Sequence, residues 1–235
     1  MRPLWLTSVD VENGVSLKWE EAFTDDSSPH GKYRMEATLV TDRQSADSDS
    51  WWKSVGPRCQ PILGNSYCLD LPLHATSEQE VRLLALTKRD NVHGWLNCYK
   101  RVRLPSRRQL LPAPVEGLRA HAIQSGTVTG DFSVRLDWSA PGQSEGETML
   151  EKQLEPGHFF TPCDTSYRIE VHEGYGLWRE IETLVGSKKN SFVHKNPTTG
   201  STLCYRVTPV NSFGEGASVE APAIHLPKRL SELQG

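Results

Sequence analysis

Val15-Ser16-Leu17-Lys18-Trp19 decides the fold, because the chain contains the same pattern a second time as Val134-Arg135-Leu136-Asp137-Trp138. Each copy is followed by a further matching block, Tyr33-Arg34-Met35-Glu36-Ala37 after the first and Tyr167-Arg168-Ile169-Glu170-Val171 after the second. Apolar and polar residues alternate in all four blocks, which is typical of half-buried β-strands. An ordered repeat of strands predicts two copies of one small domain and argues against a single large catalytic domain.

The length fits two domains, and a proline-rich stretch predicts the boundary between them. The chain has 235 residues, which is room for two domains of roughly 100–120 residues each. Three prolines lie within Leu104–Pro114, where they remove backbone donors and stiffen the connection. We therefore expect domain 1 at residues 1–108 and domain 2 at residues 109–235.

The pattern of strands and turns predicts the fold class. Many short strands separated by turn-rich segments indicate all-β domains, here two tandem antiparallel β-sandwiches of seven strands each. No amphipathic helix is expected. The tryptophans and tyrosines of the repeated blocks are expected in the two cores: Trp19, Trp138, Tyr33 and Tyr167.

These blocks, together with Tyr205-Arg206-Val207 and the later Asn211, Gly214 and Gly216, resemble the fibronectin type III family. The resemblance is clearest in domain 2. It implies a three-strand and a four-strand sheet with the tryptophan of the second strand between them. The family usually has a tyrosine at the start of the sixth strand, where this chain has Val81 in domain 1 and Leu203 in domain 2.

A narrower resemblance concerns domain 1. Trp52-Lys53-Ser54, Cys59 and Cys68-Leu69-Asp70-Leu71 are similar to the first domain of class II cytokine receptors and tissue factor. This resemblance implies a disulfide between Cys59 and Cys68 and a ligand-binding ectodomain at the cell surface. The competing hypothesis is a structural or scaffold pair of fibronectin type III domains in a large intracellular protein of muscle type.

Composition narrows the function classes. The net charge of −3 gives no general attraction to nucleic acid. No apolar stretch approaches the ~18 residues of a membrane-spanning helix, and the cysteines and histidines show no metal-binding spacing. The N-terminus lacks the apolar segment of a secretory signal, which fits either an intracellular chain or a mature fragment. We expect no cofactor.

Two sequence motifs that are typical of functional sites also have explanations that involve no function. Gly142-Gln143-Ser144-Glu145-Gly146 matches the Gly-x-Ser-x-Gly nucleophile motif, but that chemistry needs a strand, a sharp turn and a helix, and no helix is expected here. We therefore expect a chance match and no enzyme. The basic residues between Lys100 and Arg108 could bind an acidic partner, although outward charges that protect a strand edge explain them as well.

The predicted function is binding of a protein ligand or neighbouring domains. The loop Pro141–Cys163 is long and apolar, and long loops on a rigid sandwich often carry binding sites. Its apolar residues could instead fold back and plug one end of the sandwich. If the receptor resemblance holds, the partner-binding residues cluster near the elbow between the domains: Phe159, Phe160, Phe213, Arg89, Asp90 and His93.

Overall fold

The structure is a computed structural model. It describes residues 73–81, 102–124, 132–154, 164–174, 176–186 and 188–228 with their side chains. Only the backbone is described at residues 5–10, 15–20, 32–39, 53–55, 62–63, 66–69, 82–89, 92–95, 100–101, 125 and 131.

The first repeat forms two antiparallel sheets. Its strands are β1 (Trp5–Asp10), β2 (Val15–Glu20), β3 (Lys32–Leu39), β4 (Lys53–Val55), β5 (Ile62–Leu63), β6 (Ser66–Leu69), β7 (Gln79–Arg89), β8 (Val92–Trp95) and β9 (Lys100–Leu104). One sheet has the order β1-β2-β6. The other has the order β4-β3-β7-β8, in which β5 also pairs with β3 and β9 also pairs with β7.

The second repeat has the same plan. Its strands are β10 (Glu116–Ser125), β11 (Asp131–Ser139), β12 (Ser166–Glu173), β13 (Arg179–Leu184), β14 (Ser191–Lys195), β15 (Thr202–Asn211), β16 (Gly214–Glu215), β17 (Val219–Glu220) and β18 (Ile224–His225). The sheets are β10-β11-β14 and β13-β12-β15, and the three short segments β16 to β18 all pair with β15 as pieces of one last strand. The predicted all-β fold of antiparallel sandwiches is confirmed.

Strand alternation builds the core of the second repeat. Trp138 is 5% exposed and Tyr167 is fully buried, and their ring centroids lie 5.5 Å apart. Because side chains of a strand point alternately to its two faces, every second residue joins this core. Its other strand residues are Leu118, Val134, Leu136, Ile169, Val171, Leu203, Tyr205 and Val207.

Gly216, after β15, lies where only a glycine fits. A Cβ at Gly216 would lie 2.2 Å from the carbonyl oxygen of Pro112, so the backbone there is too close for any side chain. Its N–H donates to the carbonyl of Pro209 at 2.9 Å. This contact fixes the turn after β15 against the chain that enters the second repeat.

The chain divides into two compact units. The first contains Met1–Leu110 together with Ser144–Cys163, and the second contains Leu111–Gln143 and Asp164–Gly235. Ser144–Cys163 thus belongs to the first unit, although it lies between β11 and β12 in the sequence. The predicted domain 2, residues 109–235, includes this segment, whereas the second compact unit does not. In other respects the predicted boundary between residues 108 and 109 stays a prediction.

The expectation that the chain has no helix is wrong. A short helix, α1 (Glu145–Glu151), follows Ser144, whose hydroxyl accepts a hydrogen bond from the N–H of Glu147 at 3.2 Å. The Glu147 carboxylate in turn accepts from the N–H of Ser144 at 2.8 Å. This capping box satisfies two backbone donors that the helix leaves open. No helix of the described residues is long and apolar enough to span a membrane.

Candidate functional site

The outer face of the sheet β13-β12-β15 carries charged residues at paired positions. Residues of β12 and β15 that alternate with the core residues point away from it, and the register places Glu170 directly opposite Arg206. Each residue lies on a strand that is hydrogen-bonded to a neighbouring strand on both sides. The positions of the charged groups are therefore set by the sheet rather than by flexible loops.

Four charges form a continuous row, here called the charge ladder: Arg206, Glu170, Arg168 and Glu215. The Nε and a terminal nitrogen of Arg206 donate to the two carboxylate oxygens of Glu170 at 2.7 and 2.8 Å. The Nε atom of Arg168 lies 3.6 Å from Glu170, and its guanidinium also pairs with Glu215, with one hydrogen bond of 2.8 Å. Each arginine thus has a carboxylate partner in a fork-like geometry that favours both charges.

The contacts of the ladder shift the pKa values of Glu170, Arg206 and Arg168. The hydrogen bonds from Arg206 hold the pKa of Glu170 below its usual value, and the charges of Arg206 and Arg168 act in the same direction. The hydrogen bonds to Glu170 raise the pKa of Arg206, as those to Glu215 raise the pKa of Arg168. Glu170, Arg206 and Arg168 therefore stay ionised at neutral pH.

Trp178 lies on top of this ladder. The guanidinium carbon of Arg206 is 4.5 Å from the centroid of the Trp178 ring, a cation–π contact. The ring of His172 lies 5.4 Å from Trp178 on the same face. The indole thus contacts two neighbours on this face of the sheet.

Leu177 precedes this tryptophan in the chain and is 92% exposed, the most exposed of the large apolar side chains identified in the described residues. We call Leu177, Trp178, His172 and Arg206 the Trp178 platform. Tryptophan and arginine are among the residue types enriched at the centres of protein–protein interfaces.

Of the residues predicted to bind a partner, Phe213 is the one whose side chain the structure describes. Phe213 lies in the turn after β15, is half-buried, and donates its N–H to the side chain of Asn211 at 2.9 Å. Arg89 ends β7 and His93 lies in β8, but only their backbones are described. Phe159, Phe160 and Asp90 lie outside the described residues. The proposed cluster at the elbow therefore stays a prediction.

The predicted disulfide between Cys59 and Cys68 also stays a prediction. Cys59 lies outside the described residues, and Cys68 is described only through the backbone of β6. The same holds for the expected core residues Trp19 in β2 and Tyr33 in β3. Cys204, on β15, is a free thiol and is partly exposed.

The platform itself was missed, although the sequence contains a sign of it. Trp52-Lys53 in the first repeat returns as Trp178-Arg179 in the second, so a tryptophan recurs before the strand that follows β12. Alternation alone cannot tell whether such a residue is buried or stacked on an outer face. The contact with Arg206 decides this, and it depends on the pairing of β12 with β15.

The Gly-x-Ser-x-Gly match is explained by the helix it precedes. Ser144 is 4% exposed and its hydroxyl caps α1, so the serine acts as a helix cap. In the basic stretch, Arg103 pairs with Glu78, while Arg107 and Arg108 are exposed. Within the described residues, no group of three or more His, Cys, Asp or Glu side chains is placed to hold a metal ion.

Comparison with known proteins returns remote structural likenesses. No protein-family model matches the chain, and no curated protein matches it. A two-domain fibronectin type III segment of chicken tenascin is 15% identical, covers 95% of this chain and 98% of its own, and has a TM-score of 0.37. The FN1–FN3 domains of chicken CNTN1 are 17% identical, with coverages of 96% and 66% and a TM-score of 0.35.

Titin kinase with its flanking domains is also similar over part of the chain. It is 19% identical, covers 49% of this chain and 17% of its own, and has a TM-score of 0.34. Likenesses as remote as these three carry no inference about what the chain binds.

Proposed function

We propose that this chain is a non-catalytic module that binds a protein partner through the Trp178 platform. The observation that carries the proposal is the pairing of Leu177, 92% exposed, with a tryptophan that Arg206 holds in place. An aromatic anchor that is already ordered loses little conformational freedom on binding, which favours affinity. A side chain as apolar and as exposed as Leu177 gains by being covered.

The test compares two exposed aliphatic residues at opposite ends of β13. Leu177 precedes the strand and Val185, which is 77% exposed, follows it. The immobilised chain is used to capture proteins from culture medium and from cytosolic extract, and captured proteins are identified by mass spectrometry. A protein that binds the native chain should be lost with Leu177→Ser and Trp178→Ala and retained with Val185→Ser. Equal capture by all four proteins would refute the platform as the binding surface.

At a finer level, we propose a cytokine-receptor-like ectodomain as the parent, with further contacts from Phe159, Phe160, Phe213, Arg89, Asp90 and His93. The sequence resemblance of the segment around Cys59 and Cys68 supports this proposal. Peptide mapping without reductant tests it, because the disulfide belongs to an oxidising compartment. Capture restricted to culture medium would agree with a Cys59–Cys68 crosslink.

The alternative is a structural or scaffold pair inside the cell. Free thiols at all five cysteines would favour it, since disulfides are rare where thiols are kept reduced. Free thiols at Cys59 and Cys68, with capture only from cytosolic extract, would support the scaffold and exclude the receptor. The first test addresses the platform, and the mapping addresses the compartment, so the two proposals can fail separately.

A further inference from the structure

The segment Ser144–Leu154, here called the strap, makes an unusual contact with β9. The N–H of Arg103 donates to the side-chain oxygen of Gln153 at 2.7 Å, and the side-chain nitrogen of Gln153 donates to the carbonyl of Arg103 at 2.7 Å. The amide of one side chain therefore bonds both backbone groups of one strand residue. This is the pattern that a residue of a neighbouring antiparallel strand would make.

The helix of the strap packs closely on the 3₁₀-helix Arg107–Leu110. A Cβ at Gly146 would lie 2.8 Å from the Cδ2 atom of Leu110 and 3.0 Å from the carbonyl oxygen of Gln109. Leu110 and Leu150, one in each helix, are both fully buried. Such burial of apolar side chains is the main source of stability for a short helix.

The 3₁₀-helix on which the strap packs is hydrogen-bonded to the loop that precedes β7. The N–H groups of Arg107 and Arg108 donate to the carbonyls of His74 and Ala75 at 2.8 and 3.1 Å. The side chain of Gln109 donates to Glu78 at 2.8 Å, and Glu78 also pairs with Arg103. The strap thus rests on a network that joins β9, the 3₁₀-helix and the start of β7.

We propose that the strap is an intramolecular latch: β9 and the 3₁₀-helix Arg107–Leu110 form a docking surface whose occupant is Ser144–Leu154. The latch closes the first unit with a segment that the sequence places inside the second repeat. Opening it uncovers Leu110 and leaves the backbone of Arg103 without its Gln153 partner. This role is independent of the partner-binding function proposed above.

Hydrogen exchange of the full chain tests the latch, with Gln153→Ala as the first variant. Removing the side-chain amide frees the N–H of Arg103, whose exchange we expect to rise about tenfold or more, since loss of one hydrogen bond near 1.4 kcal/mol changes an opening equilibrium tenfold. Amides of β12 should exchange as in the native chain. Lys152→Ala, an exposed neighbour in the same strap, should leave both regions unchanged.

Gly146→Val is the second variant and acts on the other half of the latch. Its side chain overlaps Leu110 and the Gln109 carbonyl, so it should lift α1 and raise exchange at Arg103, whose N–H donates to the strap. Native exchange at β9 and the 3₁₀-helix in both variants would overturn the proposal. An equal rise in both units for Gln153→Ala would also overturn it, because it would indicate general destabilisation. If Gly146→Val does not fold, Gln153→Ala and Lys152→Ala decide.

Discussion

The Nδ1 atom of His194 lies 2.9 Å from the hydroxyl oxygen of Tyr205. Tyr205 is fully buried and His194 is half-buried, and their rings meet edge to face with centroids 5.9 Å apart. Burial lowers the pKa of His194, with a smaller contribution from the charge of Arg179, while Glu173 acts in the opposite direction. Burial also raises the pKa of Tyr205. The pair is therefore neutral when folded, and the tyrosine hydroxyl can donate to the imidazole.

The first prediction is that the second unit loses stability in mild acid. The pKa of His194 is lower folded than unfolded, so the unfolded chain takes up the proton first and stability falls as the pH drops below about 6.5. Urea unfolding at pH 7.5 and 5.5 measures this loss. His194→Gln should reduce it, whereas His121→Gln, at an exposed position, should not. Equal losses in the native chain and in both variants would contradict the assignment.

The second prediction concerns the core tryptophan. Trp138→Ala should lower the free energy of unfolding of the second unit by about 3–5 kcal/mol, because it leaves a large cavity. We expect domain 1 to melt nearly unchanged. Leu177→Ala is the control, since a side chain that is 92% exposed contributes little to packing, and its effect should stay within about 0.5 kcal/mol. Calorimetry with exchange readouts from each unit separates the two effects.

The third prediction rests on Gly216 and its approach to Pro112. Gly216→Ala should destabilise the second unit by about 1–3 kcal/mol, the usual cost of forcing an extra methyl into a packed site. Gly142 is the matched control, because a Cβ there would meet no atom within 4 Å. Denaturant midpoints of the two variants provide the comparison. A Gly216→Ala protein as stable as Gly142→Ala would show that the Pro112 backbone moves aside.

The fourth prediction uses the charge ladder. Glu170→Gln removes the negative charge between Arg206 and Arg168, and we expect a loss of about 1.5–3 kcal/mol at neutral pH. The pKa of Glu170 is lowered in the folded state, so its stabilisation is complete above about pH 4.3 and is lost as the pH falls further. The native chain and Glu170→Gln should thus converge in acid. Glu182→Gln, on the exposed part of β13, should show neither effect.

Much of the strand framework could be predicted from the sequence, because alternation with a period of two is imposed by the strand itself. Val134, Leu136 and Trp138 on one strand and Tyr167, Ile169 and Val171 on another all lie in the core. The helix α1 was missed because its seven residues are too few to display a helical period. The Ser144-x-x-Glu147 capping box was the available signal.

The contacts that define the platform and the latch could not be predicted in this way. Arg206 meets Trp178 only because β12 and β15 pair in one register, and a shift by one residue would turn Arg206 to the other face. Gln153 and Arg103 are 50 residues apart and make a side-chain to backbone bond. The residue types do not indicate this contact in the sequence, because glutamine and arginine are common on protein surfaces.

Tandem repeats are often regarded as interchangeable cassettes that can be cut out, reordered or transplanted at their linkers. The strap removes that freedom here. A gene fragment that ends at Leu110 would encode the first repeat without the segment that completes its compact unit. Recombination at the proline-rich junction would separate this segment from the first repeat and leave it with the second. The pair would therefore be inherited, and should be cloned, as one indivisible piece of sequence.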